Sequence, residues 1–478
     1  MILKRKDKSD NYIVPPNVSP VISHSPKLLN TTLKDIDIDI KSIFQLVSAR
    51  LVVILLIVWL ILIQYMERSY PKHVLQKCQW QNWESWTSDS QPQRIALVAD
   101  PQIIDDYSYS GRPSILNYFV KRITDNYLHR NYRYMQDLLD PHTTIFLGDL
   151  FDGGRYWDDK TWFEEYKRFN RIFPPKVNRL TITSIPGNHD IGFQIMDKKV
   201  INRFASVFGE LNNVMELGNH TFVLLDSISL SSEDKQINKE PSEFLATVKE
   251  HVNPKLPTIL LTHVPLYRFN DKQLCGSKRE SNKLFPIQKG DQYQTVINYE
   301  LSQKILSTIG PSLVFAGDDH DYCDIQQPYW YQNKDATARE ITVKSASMSS
   351  GIRYPAIQLL SLNNPYNLID HLGEKTVNTY ETEMCYMPHP YYSLRMYILV
   401  YIMFIGLLVF KYLKPDITKI KSLLSRNGNS PELPTYDNAK TKLKPRSQFV
   451  PNKKGFIVNL IVATVIPLSI LNSYYSTI

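Results

Sequence analysis

Five short polar clusters along this chain carry side chains able to hold a ligand and act on it. Asp100-Pro101-Gln102 is the first, and Gly148-Asp149-Leu150-Phe151-Asp152-Gly153-Gly154 the second. Pro186-Gly187-Asn188-His189-Asp190 is the third, His263 the fourth, and Gly317-Asp318-Asp319-His320 the fifth. Carboxylates, amides and imidazoles gathered in one place can accept hydrogen bonds, ligate and carry protons. Taken singly each cluster is weak: a lone histidine is usually a satisfied surface or core residue, as we read His220, His371 and His389, and a lone G-D-x-x-D is often a turn. Five in this order, each directly after a short apolar run, are hard to assign to chance.

The runs that precede the clusters are the elements that must position them. Residues 95–99, 144–147, 180–185, 258–262 and 312–316 read as short β-rich segments. Between the first two lies an amphipathic stretch, with Ile115, Phe119, Ile123 and Tyr127 at helical spacing. Strands alternating with helices, and ligand-type residues at strand carboxyl ends, describe an open α/β scaffold. No G-x-x-x-x-G-K-S/T occurs, which excludes a P-loop nucleotide site.

These residues resemble the calcineurin-like metallophosphoesterase superfamily, whose pattern runs D-x-H, G-D-x-x-D-x-G, G-N-H-D/E, a single His, then G-H-x-H. The match covers residues 94–362, including further strands at 221–226 and 357–362. Gln102 stands where the pattern has the His of D-x-H, and Asp318 where it has the first His of G-H-x-H. With the strings ADPQIIDDYSYSGRP, DNYLHRNYRY, FLGDLFDGGR and SGIRYPAIQLLSL, these departures look like the fungal branch that acts on glycosylphosphatidylinositol (GPI) anchors. That branch removes ethanolamine phosphate from the GPI glycan in the early secretory pathway.

The resemblance implies an α/β fold, specifically a four-layer α/β/β/α sandwich, and two divalent metal ions. One ion would be held by Asp100, Gln102, Asp149 and His320, the other by Asn188, His263 and Asp318, with Asp149 bridging the pair. Two cations about 3.5–4 Å apart clamp a phosphoryl group and lower the pKa of a bridging water. Replacing two imidazoles by oxygen donors hardens the site and moves the expected metal from zinc towards manganese. His189 would face the substrate as the catalytic acid rather than bind metal. Asp152 and Asp190 would orient ligands or His189, with a turn or cap role an equal alternative. Asp105, Asp106 and Arg353 lie near the motifs in sequence, where glycan contact competes with a solvated surface role.

The remaining chain reads as membrane topology. At 478 residues it is about three times a typical ~150-residue domain. Its 43% apolar and 21% charged content excludes a disordered polymer. Residues 51–63, 396–410 and 456–471 form three apolar runs, expected as transmembrane helices over 46–66, 394–413 and 456–475, one N-terminal and two C-terminal. A cleavable signal peptide would not carry fifty residues ahead of its apolar region. Residues 1–45 read as a flexible cytosolic tail and 67–392 as one catalytic domain.

Lys and Arg exceed Asp and Glu by 55 to 47, a net +8. The segment 411–454 holds eleven basic and three acidic residues and so carries the same +8, which places this loop (414–454 between the expected spans) in the cytosol and residues 67–392 in the lumen. The surplus is thus a topological label, and no nucleic-acid partner is expected. Cys78, Cys275, Cys323 and Cys385 all fall in the luminal segment, permitting two disulfides with three possible connectivities, or four buried thiols. Of the N-x-S/T sequons only Asn219 would be luminal; Asn17 and Asn30 would not. Trp80, Trp83 and Trp86 suit either an interfacial belt or core packing.

The expectation is therefore a phosphodiesterase of the endoplasmic reticulum or Golgi membrane, acting on a GPI glycolipid or GPI-anchored protein beside the lipid bilayer. The alternatives are another phosphodiester, a phospholipid or nucleotide, or a non-catalytic scaffold, to which Gln102 and Asp318 lend some footing.

Overall fold

The computed structural model describes residues 46–87, 90–109, 111–363, 378–413 and 452–475. The tail before residue 46 and most of the basic loop, with Asn17, Asn30 and His371, lie outside the described residues.

Two sheets carry the domain. In the first, β1 (Gln93–Val98), β2 (Thr143–Phe146) and β3 (Leu180–Ile182) run parallel, flanked by β12 (Ala356–Leu362) and β13 (Tyr380–Tyr386), in the order β13-β12-β1-β2-β3. In the second, β5 (His220–Leu224), β6 (Thr258–Leu261), β9 (Leu313–Ala316) and β11 (Lys334–Thr342) are parallel, with β4 (Asn213–Leu217) and β10 (Cys323–Tyr331) antiparallel at the edges. Alternation along each strand assigns its two faces. Ile95, Leu97 and Ile145 meet Phe222, Leu224, Ile259, Leu261, Leu313 and Phe315 between the sheets. Ala96, Val98, Phe146, Val223, Leu260 and Val314 point the other way, into a core shared with helices. Burial on both faces explains why these strands read as unbroken apolar runs.

Helices Ser114–Leu138 and Asp159–Ile172 supply Tyr127, Tyr132, Trp162 and Phe169 to that core, and Lys235–His251 and Tyr299–Ile309 supply Leu245, Val248, Ile305 and Leu306. The result is the expected mixed α/β sandwich. Side-chain caps start three of these four helices: Asp158 accepts from Thr161 N, Asp234 from Gln236 N and Asn298 from Leu301 N.

Among the described residues three helices are long and apolar enough to cross a membrane: Ala49–Gln76, Pro390–Leu413 and Lys453–Tyr475. Asn459 ties the first and third at one end, donating to Leu46 O at 2.9 Å and accepting from Ser48 N at 3.2 Å. Asn452 N donates to Tyr412 O at that same end, at 3.1 Å. At the other end Glu67, 1% exposed, accepts from Tyr397, Tyr475, Asn126 and Arg130. The bundle therefore runs up, down and up, with the α/β domain at the Glu67 end. The first helix continues to Gln76 through a π-helical turn, Tyr65–Ser69, which places Glu67 inward.

Trp80 belongs to the core: it is buried and its indole donates to Leu139 O at 2.6 Å. All four cysteines are paired, Cys78 with Cys385 and Cys275 with Cys323. The first bridge joins the segment after the first long helix to β13, across 307 residues of sequence. Removing it with Cys78→Ser and Cys385→Ser is expected to cost about 2–5 kcal/mol. Equilibrium unfolding of the full chain should show a lower denaturant midpoint, and reductant, which also opens the Cys275–Cys323 bridge, should lower the parent's midpoint at least as far.

Candidate metal centre

The carboxyl ends of five parallel strands from both sheets converge on one edge. Asp100 follows β1, Asp149 follows β2, Asn188 and His189 follow β3, His263 follows β6, and Asp318 and His320 follow β9. The backbone there is forced into the left-handed region: φ is +46° at Asp100, +33° at Gln102, +49° at Asp149, and +66° at both Asp318 and His320. Non-glycine residues hold such angles at a cost of order 1–3 kcal/mol each, and they cluster at functional sites.

Asp100, Asp149 and His263 are buried and present ligand atoms within 4.8 Å of one another. His263 Nε2 lies 3.4 Å from Asp149 Oδ1 and 3.6 Å from Asp318 Oδ1, and His263 Nδ1 lies 3.8 Å from Asp100 Oδ1. Among the described residues His263 is the ion-pair partner of all three acids. Three carboxylates facing one imidazole in a buried site leave a deficit of positive charge, which is expensive without a cation. Burial pushes the Asp100 carboxyl well above the usual carboxylate range, against the pull of His263. Burial also opposes charge on His263, but Asp149, Asp318 and Asp100 outweigh it and raise its pKa well above the ordinary value. A proton on His263 and a bound cation answer the same deficit.

Orphaned atoms point the same way. Asp100 Oδ2, Asn188 Oδ1 and His263 Nε2 are buried with no hydrogen-bond partner. Their other atoms are anchored: Asp100 Oδ1 accepts from Asp318 N at 3.0 Å, Asn188 Nδ2 donates to Gln292 O at 3.1 Å, and His263 Nδ1 sits 2.7 Å from Leu147 O. Each side chain is thus fixed on one side and bare on the other, as a metal ligand must be. His320 follows suit, with Nδ1 at 3.1 Å from Ser350 O and burial holding its pKa down, in the neutral form a ligand requires. These residues fit divalent cations.

Asp149 is the hub. Its Oδ1 accepts from His189 N at 2.9 Å, and its Oδ2 from Gln102 Nε2 at 2.8 Å. Burial works against its charge, but His263 and His189 hold its carboxyl below the usual range. Gln102 therefore reaches the site through its amide nitrogen in this arrangement. His189 is part-exposed, with Nδ1 at 2.6 Å from Asp152 O and 3.2 Å from Asp152 Oδ1. Burial disfavours its charged form, yet Asp149 and the bond to Asp152 prevail and hold its pKa at about 9. Asp190 ties the loops together, accepting from Leu150 N, Phe151 N and Gly187 N.

Glycine is needed at 187 for close approach: a methyl group there would collide with the Asp149 backbone nitrogen and carboxylate. Gly187→Ala is expected to displace Asp149 and to lower bound metal and turnover together, read by elemental analysis and by phosphodiester hydrolysis.

One sequence reading changes. Asp105 is occupied within the fold, accepting from Tyr107 N, Ser108 N and Trp157 Nε1, so it holds a loop and does not offer itself to a glycan. Arg353 is exposed, and its backbone nitrogen donates to Glu280. Gln292 was not foreseen: it holds Asn188 through its carbonyl and Phe193 N through Oε1, from a turn 104 residues downstream. Arg155, at the end of FLGDLFDGGR, donates to Asn188 O at 2.9 Å.

Comparison with known proteins agrees with this geometry. Residues 93–322 match the family described as calcineurin-like phosphoesterase. The chain is 46% identical over 448 residues to Cell division control protein 1 of Saccharomyces cerevisiae, covering 90% of this chain and 91% of that one. It is 28% identical to Metallophosphoesterase 1 of Mus musculus, over 54% of this chain and 65% of the relative. With Metallophosphoesterase 1 of Danio rerio the identity is 25%, over 71% and 87%.

Proposed function

Since the chain belongs to the calcineurin-like phosphoesterase family and is a metal-dependent phosphoesterase, we propose that it hydrolyses the phosphodiester joining ethanolamine phosphate to a mannose of the GPI glycan. The observation that carries the reading is the ring of bare donor atoms on Asp100, Asn188 and His263 around the Asp149 hub, with His189 alongside. Asp100, Gln102, Asp149 and His320 would hold one divalent ion, and Asn188, His263 and Asp318 the other, with Asp149 shared. The ions supply charge for the phosphoryl group and the hydrolytic water. The Asp318 carboxylate, and the Gln102 amide if it turns its oxygen inward in place of the nitrogen that now meets Asp149, would favour manganese over zinc.

The residues of this chain do the rest. Asp152 orients the His189 ring through Nδ1, leaving Nε2 to give a proton to the departing mannose oxygen. Asp190 fixes the loops after β2 and β3 relative to each other through three backbone nitrogens. The choice of a GPI substrate rests on the four sequence strings and on the three apolar helices, which suit a lipid-linked substrate. Catalysis on the luminal side of the endoplasmic reticulum or Golgi membrane is supported by the basic composition of the 414–454 loop, which suits the cytosol, and by the paired cysteines, which suit an oxidising lumen.

Mass spectrometry of GPI glycans from cells lacking this chain tests the reading. One extra ethanolamine phosphate is expected to be retained, and purified chain with manganese should remove it. A folded, metal-loaded chain that hydrolyses a generic phosphodiester but leaves GPI glycans intact would transfer the activity to another substrate.

A further inference from the structure

Chain direction fixes which way the metal centre faces. Strand β13 is antiparallel to β12, which is antiparallel to β1, so β13 and β1 run the same way. β1 ends beside Asp100, and β13 ends four residues before the helix that begins at Pro390. The edge that bears the site is therefore the edge from which the second long helix leaves. Contacts agree: Tyr391 OH donates to Met348 O at 3.4 Å, and the Tyr354 and His389 rings lie 5.2 Å apart, both from the loop whose Ser350 O holds His320.

The first long helix gives an independent reading. Glu67 meets Asn126 and Arg130, Lys72 lies over the Tyr134 ring, and Trp80 reaches Leu139 O. Contacts rise in step along both segments, so helix Ser114–Leu138 points its carboxyl end away from the bundle and its start towards it. From Asn126 back to Ile115 is about 16 Å of helix. That start carries Ile115 at 70% exposure, Leu116 at 47%, Tyr118 at 51% and Phe119 at 44%, a run of large apolar side chains with no core to cover them.

Resting on the reading of the three long helices as membrane spans, we propose that the start of helix Ser114–Leu138 lies in the bilayer leaflet next to the domain, so that the metal centre opens onto the membrane surface. The occupant of this apolar face is the bilayer that already surrounds the bundle, because the face continues from the level of Glu67, where all three helices meet the domain. Tyrosines and aliphatic side chains are what an interfacial segment presents. Asp100 and Asp149 end strands on this same edge, and Asp152 leads to His189. The site would then meet a phosphodiester carried on a lipid headgroup, held close to the leaflet, in preference to one free in solution.

Every cysteine is bridged, so an introduced thiol can be labelled selectively. In the full chain reconstituted in phosphatidylcholine vesicles, a polarity-sensitive probe on Ile115→Cys should be quenched several-fold more by acyl-brominated lipid than one on Val177→Cys. Val177 is 83% exposed and follows Lys176, which bonds Gln136 O near the far end of the same helix. Equal lipid quenching at the two positions, or strong quenching of the Ile115→Cys probe by aqueous iodide, would overturn the proposal. So would shielding from both quenchers, which would mark a protein partner instead. As a second arm, Ile115→Asp with Phe119→Asp should lower turnover of a vesicle-embedded phosphodiester several-fold and leave a water-soluble one unchanged; an equal effect on both counts against it. The quenching reads position alone, so a wrong GPI assignment would leave its result intact.

Discussion

Asp149→Ala is expected to remove phosphodiester hydrolysis, with a loss of about a thousandfold or more. The side chain is buried, lies 3.4 Å from His263 Nε2, accepts from His189 N and Gln102 Nε2, and would be shared between two cations. Losing several kcal/mol of charge stabilisation in the transition state corresponds to that factor at 1.36 kcal/mol per tenfold. Elemental analysis of the purified variant should show bound metal falling in parallel, and a chelator should bring the parent to the same activity. A variant that keeps its metal and its turnover would refute the two-ion reading. In cells, the same substitution distinguishes catalysis from scaffolding: a scaffold would keep its role when Asp149 is lost.

His189→Ala is the second large expectation, with a different signature. His189 has no place among the bare ligand atoms, and its ring is set by Asp152 beside the hub. Metal content should therefore stay at the parental level while turnover of a sugar phosphodiester falls about 10²–10⁴-fold, the range for a positioned general acid. The loss should shrink with an aryl ester, whose departing oxygen needs no proton. An equal loss on both substrates would mean that His189 steadies the phosphoryl charge and donates no proton. Asp152→Asn should give a smaller loss of the same pattern, because it acts through His189.

Much of the centre was legible because its signals are local. Asp149, Asn188 and His263 each follow an apolar strand by two to six residues, and a strand delivers what lies at its carboxyl end. The positive φ angles at Asp100 and Asp149 are the price of turning the chain at once after the strand. Gln292 was illegible for the opposite reason: it uses a backbone carbonyl from a distant turn, and nothing in its residue type announces that. Asp105 misled because an acidic pair beside a motif looks available, whereas Trp157 and the Ser108 turn consume it.

The amino-acid sequence by itself determined the strand–ligand order, the family, three apolar helices and the balance of charge, because each is written within a few residues or in a simple sum. Tertiary structure alone decided that Cys78 pairs with Cys385, that Glu67 joins three helices to Arg130, and that β13 delivers the metal-centre edge to the bundle. Those outcomes depend on which distant segments come together, and pairing across 300 residues is set by packing the whole chain, which no local pattern encodes.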